Sequence, residues 1–452
     1  MALFFKTISQ DGKKYLLPNF GDFSINSRKC TTMVRSKPVL LHSAMYENST
    51  KQTHNIGGTK MKFNKWTLGL AALGVVSLAS VAQAEEKLNP IRAALESTSI
   101  SGYIDTSIEA NFCPHDDSPF ITEEDSSWPG IPFRTDTKRN GFNLNVVKLT
   151  LQKALDEGEW ASGYRFDLLV GPDAVGYNPA AESEGTEALA IKQAYIALRT
   201  PVGNGIDWKV GVFDTIIGYE SFEAGNNPNF SRSWGWAVEP TQHTGLLATY
   251  RFNDNVSASA GIANTLTPGI NARNDNTGID SYWCKTYMGS IALTAPDNWG
   301  FLSGSTLYSG IVAGHADGGS HSQVNYYVGA TVSTPVTGLR AGFAFDYVDN
   351  LGGAPEGDYQ DDVMVIGGYV SYQATEKLSL HGRVEYGHLC YYFNDDGTDN
   401  GHEDVWGITA TAQYDLWKNV ISRLEFRYDD WRASWTGSQH NLAMYLNMIY
   451  SF

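Results

Sequence analysis

The sequence predicts an all-β fold: a transmembrane antiparallel barrel of about 16 strands, with about 14 or 18 as the neighbouring counts. Three observations carry that expectation. Alternating apolar and polar segments recur from residue 99 to the C-terminus, an export signal precedes them, and the links between them are short and long in turn. The composition agrees. The chain has 452 residues, of which 42% are apolar and 18% charged, enough apolar content to fold and too little charge for a disordered chain. Aromatic residues at 12%, with 45 glycines, are a β-rich signature. The balance of 49 acidic against 33 basic residues, a net −16, argues against a nucleic-acid partner. Four cysteines are too few for a disulfide scaffold.

The first element is the export signal at 61–84. Met61-Lys62-Phe63-Asn64-Lys65 is a basic head, Trp66 to Ala79 is apolar, and Ala82-Gln83-Ala84 is a small-x-small cleavage site before Glu85-Glu86. The apolar run is too short to span a bilayer as a helix. Because such a signal works at an N-terminus, Met61 reads as the true start. Residues 1–60, basic and without a sustained period, read as an extension absent from the mature protein. Removing 1–84 leaves 22 basic against 46 acidic residues, a net −24. Residues 85–98 form a short periplasmic segment, in which Asn89 caps a helix over 89–95 opened by Pro90.

The barrel occupies 99–452. The expected strands are 99–111, 141–153, 160–171, 189–199, 207–213, 242–252, 256–264, 282–294, 302–313, 324–334, 339–348, 362–373, 378–391, 404–414, 420–430 and 439–452. Most are close to the roughly 9–11 residues that cross a bilayer when tilted. The last is the clearest: Leu442, Met444, Leu446, Met448, Tyr450 and Phe452 share one face, and ending on an aromatic is similar to the assembly signal of outer-membrane barrels. Alternation alone does not separate a membrane barrel from a soluble sandwich. The loops do. Seven links are short, and the others (112–140, 172–188, 214–241, 265–281, 314–323, 349–361, 392–403, 431–438) are long, as when one rim carries turns and the other carries external loops.

The third long loop, 214–241, is broken by Gly, Asn and Pro yet carries Tyr219, Phe222, Phe230, Trp234 and Trp236, too much aromatic area for a free surface loop. Its run Gly211-Val-Phe213-Asp214, then Gly218-Tyr219-Glu220, then Asn226-x-Pro228-Asn229-Phe230-Ser231-Arg232-Ser233, then Glu239-Pro240 and Thr244-Gly245, resembles the outer-membrane β-barrel porins of the OmpL-like type. The likeness covers 99–452 in architecture and about 205–250 in motif. It implies a pore of no particular solute, with this loop folded inward as in general porins. The extension over 1–60 departs from the pattern.

No H-E-x-x-H, G-x-S-x-G, C-x-x-C-H or P-loop pattern occurs. No catalytic residue, cofactor or metal is expected. His243 with Ser231 or Ser233 is the one hydrolase pairing to weigh, and no third partner is marked. The acid runs Asp116-Asp117, Glu123-Glu124-Asp125 and Asp395-Asp396 read as solvated loops, with cation binding as the alternative. Among Cys113, Cys284 and Cys390, a Cys284–Cys390 bridge is the alternative to free thiols.

The functional expectation is a passive diffusion channel for small hydrophilic solutes. The alternatives are a non-conducting barrel serving as anchor or adhesin and, further off, a soluble secreted β-protein. Inward parity puts Lys148, Arg165, Lys209, Arg251, Arg340, Arg383, Arg423 and Arg427 on the pore wall. The inserted loop supplies Asp214, Glu220, Glu223 and Glu239, with Arg232 opposing them. Basic wall against acidic loop sets a transverse field, or the acids tie the loop to the wall as salt bridges. The partners such a protein implies are outer-membrane lipid and lipopolysaccharide, the barrel assembly machinery, its solutes and a homotrimer.

Overall fold

A computed structural model describes residues 5–10, 13–18, 97–112, 138, 140–177, 189–273, 284–315, 321–351, 361–392, 400–433 and 437–452. The export signal with Ala82 and Ala84, the helix expected over 89–95, Cys113 and the three acid runs lie outside these residues. The chain divides into two units, Met1–Phe63 and Asn64–Phe452. The first contains an antiparallel hairpin, Phe5–Gln10 with Lys13–Pro18. Neither of these two short strands is among the elements expected from the sequence.

The second unit is a closed antiparallel barrel of sixteen strands. They are β1 Ser99–Asn111, β2 Gly141–Lys153, β3 Ser162–Val170, β4 Leu189–Thr200, β5 Ile206–Asp214, β6 Gln242–Asn253, β7 Val256–Ala263, β8 Thr286–Thr294, β9 Thr306–Gly314, β10 Gln323–Ser333, β11 Leu339–Leu351, β12 Asp361–Gln373, β13 Leu378–Tyr392, β14 Asn400–Trp417, β15 Val420–Ala433 and β16 Gly437–Ser451. Each strand pairs with its sequence neighbours, and β16 pairs with β1 to close the ring. All sixteen expected strands are present, with shifted ends. The largest shifts are at β8 and β9, which start four residues later than expected, and at β14, which starts four earlier. Before β9, Gly300 and Gly304 adopt positive φ and build a turn from what reads as the strand's start. At the far side, Asn419 (φ 65°) makes the tight link between β14 and β15.

The polar face is the buried one. Along β15, Arg423, Glu425, Arg427 and Asp429 are buried, while Leu424, Phe426 and Tyr428 between them are exposed. β16 repeats this, with Asn441, Tyr445, Asn447 and Ile449 inside and Leu442, Leu446, Met448 and Tyr450 outside. A soluble sandwich would show the reverse, so apolar side chains facing outward on every stave mark a lipid-facing surface. Trp160, Phe252, Trp299, Phe301 and Trp417 are exposed at the short-turn rim, as an interfacial aromatic girdle requires.

Two of the barrel's register shifts, both mid-strand, interrupt the alternation at the site. Opposite Asp105, an extra residue in β2 leaves both Asn145 and Val146 buried. Opposite Asp167, an extra residue in β4 leaves both Lys192 and Gln193 buried. A bulge turns a side chain through the pleat, and these two bring Asn145 and Lys192 into the lumen.

Both barrel ends lie on the short-turn rim. Phe452 N–H donates to the Gly102 carbonyl, and Gly102 N–H to the Phe452 carbonyl, each at 2.9 Å. Gly102 has no alternative there, since a Cβ would sit 2.3 Å from the Lys148 carbonyl oxygen and 2.6 Å from the Phe452 ring. Deleting Phe452 removes both seam bonds. The expected result is a lower heat-modifiable fraction on gels after refolding and lower membrane insertion in cells; normal insertion would contradict this role for the seam.

Candidate functional site

The loop after β5 does not leave the barrel. It turns inward, and its apolar residues enter three clusters of the lumen. Ile216 and Ile217 pack with Leu247, Met288, Val312 and Tyr327. Phe222 packs with Val146, Leu169 and Tyr177. Trp234 and Val238, in the short helix α1 (Trp234–Val238), pack with Val365, Leu389, Val405 and Trp431. Ser233 caps α1, its hydroxyl accepting from Trp236 N–H at 3.0 Å.

A buried loop must find partners for its backbone, and the charged wall supplies them. Arg383 on β13 donates to Glu220 Oε1 (2.8 Å) and to the Ser231 and Arg232 carbonyls (2.7 and 3.1 Å). Arg423 on β15 donates to the Ala224 and Asn227 carbonyls (2.7 and 2.9 Å), and Arg427 donates to the Arg232 carbonyl. Wall carboxylates take the N–H groups. Glu425 accepts from Phe230 and Ser231 (2.6 and 2.8 Å), and Glu385 accepts from Trp234 (2.6 Å). Asp429 accepts from the Trp234 indole at 2.9 Å. Within the loop, Glu220 accepts from Ser233 N–H at 2.8 Å. Arginines and carboxylates alternate along the strands as Arg383–Glu385, Arg423–Glu425 and Arg427–Asp429, so each buried charge has an opposite charge two residues away on its own face.

Two further tethers hold the near side. Glu223 pairs with Lys148 on β2 and, at 3.6 Å, with Lys192 on β4; Lys192 also pairs with Asp214. Burial pushes the Glu223 carboxyl up, but the Lys192 and Lys148 ammonium groups outweigh it and hold it well below the usual carboxylate range. Glu239 is the opposite case. Burial, followed by the Asp346 carboxylate beside it, raises its carboxyl well above its ordinary value. A proton on Glu239 is therefore held more tightly than on a free glutamate. Gly218 allows this approach, since a Cβ there would lie 2.4 Å from Glu239 Oε2 and its φ is +118°.

All eight expected wall residues lie on lumen parity, but they divide into groups. Lys148, Arg383, Arg423 and Arg427 hold the loop. Arg165 pairs with Asp167 at 2.9 Å. Lys209 stands over the Tyr195 ring at 5.0 Å, Arg340 is half-buried, and Arg251 is exposed toward the short-turn rim. Glu220 and Glu223 therefore act as tethers, in keeping with the salt-bridge alternative. Arg232 donates to the Phe230 and Phe222 carbonyls. The hydrolase pairing is not formed. His243 Nε2 lies 3.1 Å from Thr215 Oγ1, the Ser231 hydroxyl meets Arg383, and the Ser233 hydroxyl caps α1. Cys284 and Cys390 are free thiols. Among the described residues no group of three His, Cys, Asp or Glu could hold a metal ion.

The sequence reading missed Glu385, Glu425 and Asp429, whose signal was the repeated Arg-x-acid on one strand face. It missed Lys192 because strict alternation assigns that residue to lipid. It also missed the wall beside β1, where a narrow cavity remains between the loop and β1, β2 and β16, lined by Asp105, Ser107, Glu109, Asn145 and Arg232 among others.

The family model described as "Putative beta-barrel porin-2, OmpL-like" matches residues 97–452. The chain belongs to this family. Family and barrel together assign it to the outer membrane and to a porin-like role. It is similar in fold to the outer-membrane channel DcaP of Acinetobacter baumannii, at 11% identity and TM-score 0.51, with 78% of this chain and 97% of that one covered. It is likewise similar to OmpF of Salmonella typhi, solved with daunomycin, at 11% identity and TM-score 0.50 over the same shares. No curated protein matches the sequence.

Two outcomes follow for this porin-family chain. Arg383→Ala leaves Glu220 and Glu385 buried without their guanidinium, and is expected to cost about 3–5 kcal/mol, read as a lower denaturation midpoint in detergent. Glu239 binds its proton more tightly in the docked loop than when free. Its contribution is therefore present at acidic pH and is lost as pH rises through its raised value. Protease cleavage within 218–239 should increase toward alkaline pH in the wild type and stay flat in Glu239→Gln. Matching pH profiles for the two would contradict the raised Glu239 carboxyl.

Proposed function

We propose that this chain is a passive diffusion channel for small hydrophilic solutes, with loop 214–241 forming its constriction. The observation that carries this reading is the anchoring of the loop across the lumen to the opposite wall by Arg383, Arg423 and Arg427. Charged groups of this number inside a barrel are costly without water or partners; on the same parity Arg165 and Lys209 are half-buried and Arg251 is exposed. In the same reading, 61–84 is the export signal, 85–452 is the mature chain, the barrel assembly machinery recognises the strand ending in Tyr450 and Phe452, and the protein sits among lipopolysaccharide as a homotrimer.

One observation favours a second reading, a non-conducting barrel acting as anchor or adhesin. The lumen holds three apolar clusters, and Trp234, Phe213 and Leu389 are fully buried within it. Planar-bilayer recording of refolded 85–452 separates the two. The channel reading expects discrete conductance steps that grow when residues 218–239 are replaced by a short Gly-Ser link. Silence in both proteins would leave the anchor. If refolding instead required residues 1–60, the assignment of the mature chain would fall.

A further inference from the structure

The inserted loop does not fill the lumen evenly. On the far side it is bonded directly to β13 and β15. Beside β1, β2 and β16 a cavity stays open, with room for about two water molecules. Its wall is acidic. Asp105, Ser107 and Glu109 are on the lumen face of β1, and the loop edge from Ala224 to Arg232 faces them.

The wall is built around one carboxylate. Asp105 Oδ1 accepts from Asn145 Nδ2 at 2.9 Å and from Asn447 Nδ2 at 2.6 Å. Ser107 donates to Asn145 Oδ1 at 3.1 Å, which orients the amide. Asn145 is there because the β2 bulge turns it inward. The tethering acids Glu220 and Glu223 are neutralised by direct contact with arginine and lysine; Asp105 takes its hydrogen bonds from neutral amides, with the Lys138 charge acting on it from the same cavity wall. Amide donors fix a carboxylate without cancelling its charge, so its field extends into the cavity, where low-dielectric walls strengthen it.

We propose that the path past the loop runs along the β1–β2–β16 staves, and that Asp105 is the group that sets its charge preference, selecting small cations. This rests on the channel reading above and reverses the polarity drawn from sequence. The acid that faces the path belongs to the wall, and the loop's carboxylates face away from it into their tethers. Asn145 is a positioning residue, acting through Asp105.

The test is recording in planar bilayers under a salt gradient at neutral pH, with wild type, Asp105→Asn and Ser107→Cys. Wild type is expected to prefer cations, and Asp105→Asn to lower the cation-to-anion permeability ratio by about two-fold or more. In Asp105→Asn the remaining oxygen still accepts both amide bonds, so the barrel is expected to fold. Ser107→Cys reports position independently of charge. A cationic methanethiosulfonate reagent should cut its conductance to about half or less, with no effect on wild type. A conducting wild type whose reversal potential ignores Asp105→Asn, together with a Ser107→Cys that ignores the reagent, overturns this path and leaves the channel reading intact. A wild type that never conducts overturns the channel reading itself.

Discussion

The constraint on which the structure depends is that a long loop is folded into the middle of a barrel, away from bulk water. Each of its N–H and C=O groups loses hydration on entry and must be bonded again. The rows of alternating charge on β13 and β15 answer that need. Arg383, Arg423 and Arg427 donate to loop carbonyls, and Glu385 and Glu425 accept loop N–H groups. Each charge also neutralises its neighbour two residues along the strand. Remove the loop and the wall is a stripe of opposed charges facing water. Remove the wall charges and the loop is a buried coil with unpaired backbone.

The same constraint explains the rest of the wall. Lipid outside requires apolar side chains on one parity of every strand, which leaves the other parity free to be polar. Where a lumen carboxylate has its partner at a position that alternation gave to lipid, the strand bulges: β4 brings in Lys192 to meet Asp214 and Glu223, and β2 brings in Asn145 to meet Asp105 on the neighbouring strand. Glycine serves the tight approaches, as at Gly218 under Glu239.

The barrel was largely legible in the sequence because its signals are local. Period-two alternation and turn residues located all sixteen strands, and parity put the wall bases on the lumen face. What escaped was of two kinds. Strand ends failed where glycine geometry decided them, as at Gly300 and Gly304 before β9. Site residues failed where the cause was non-local. Lys192 and Asn145 reach the lumen through bulges that strict alternation cannot foresee. The partnership of Glu220 with Arg383 joins residues 163 apart in sequence, and depends on where the loop lands. Reading the arginines without the acids two positions on made the wall look purely basic.

The central claim is that the loop is locked into the lumen by buried carboxylates of the wall and of the loop itself, and amide hydrogen exchange of the folded barrel tests it most directly. The account predicts that the amides of Phe230, Ser231, Ser233 and Trp234, which donate to Glu425, Glu220 and Glu385, exchange as slowly as those of β13 and β15. Exchange of these four amides at the fast rate of an exposed loop, with the strands still protected, would contradict it.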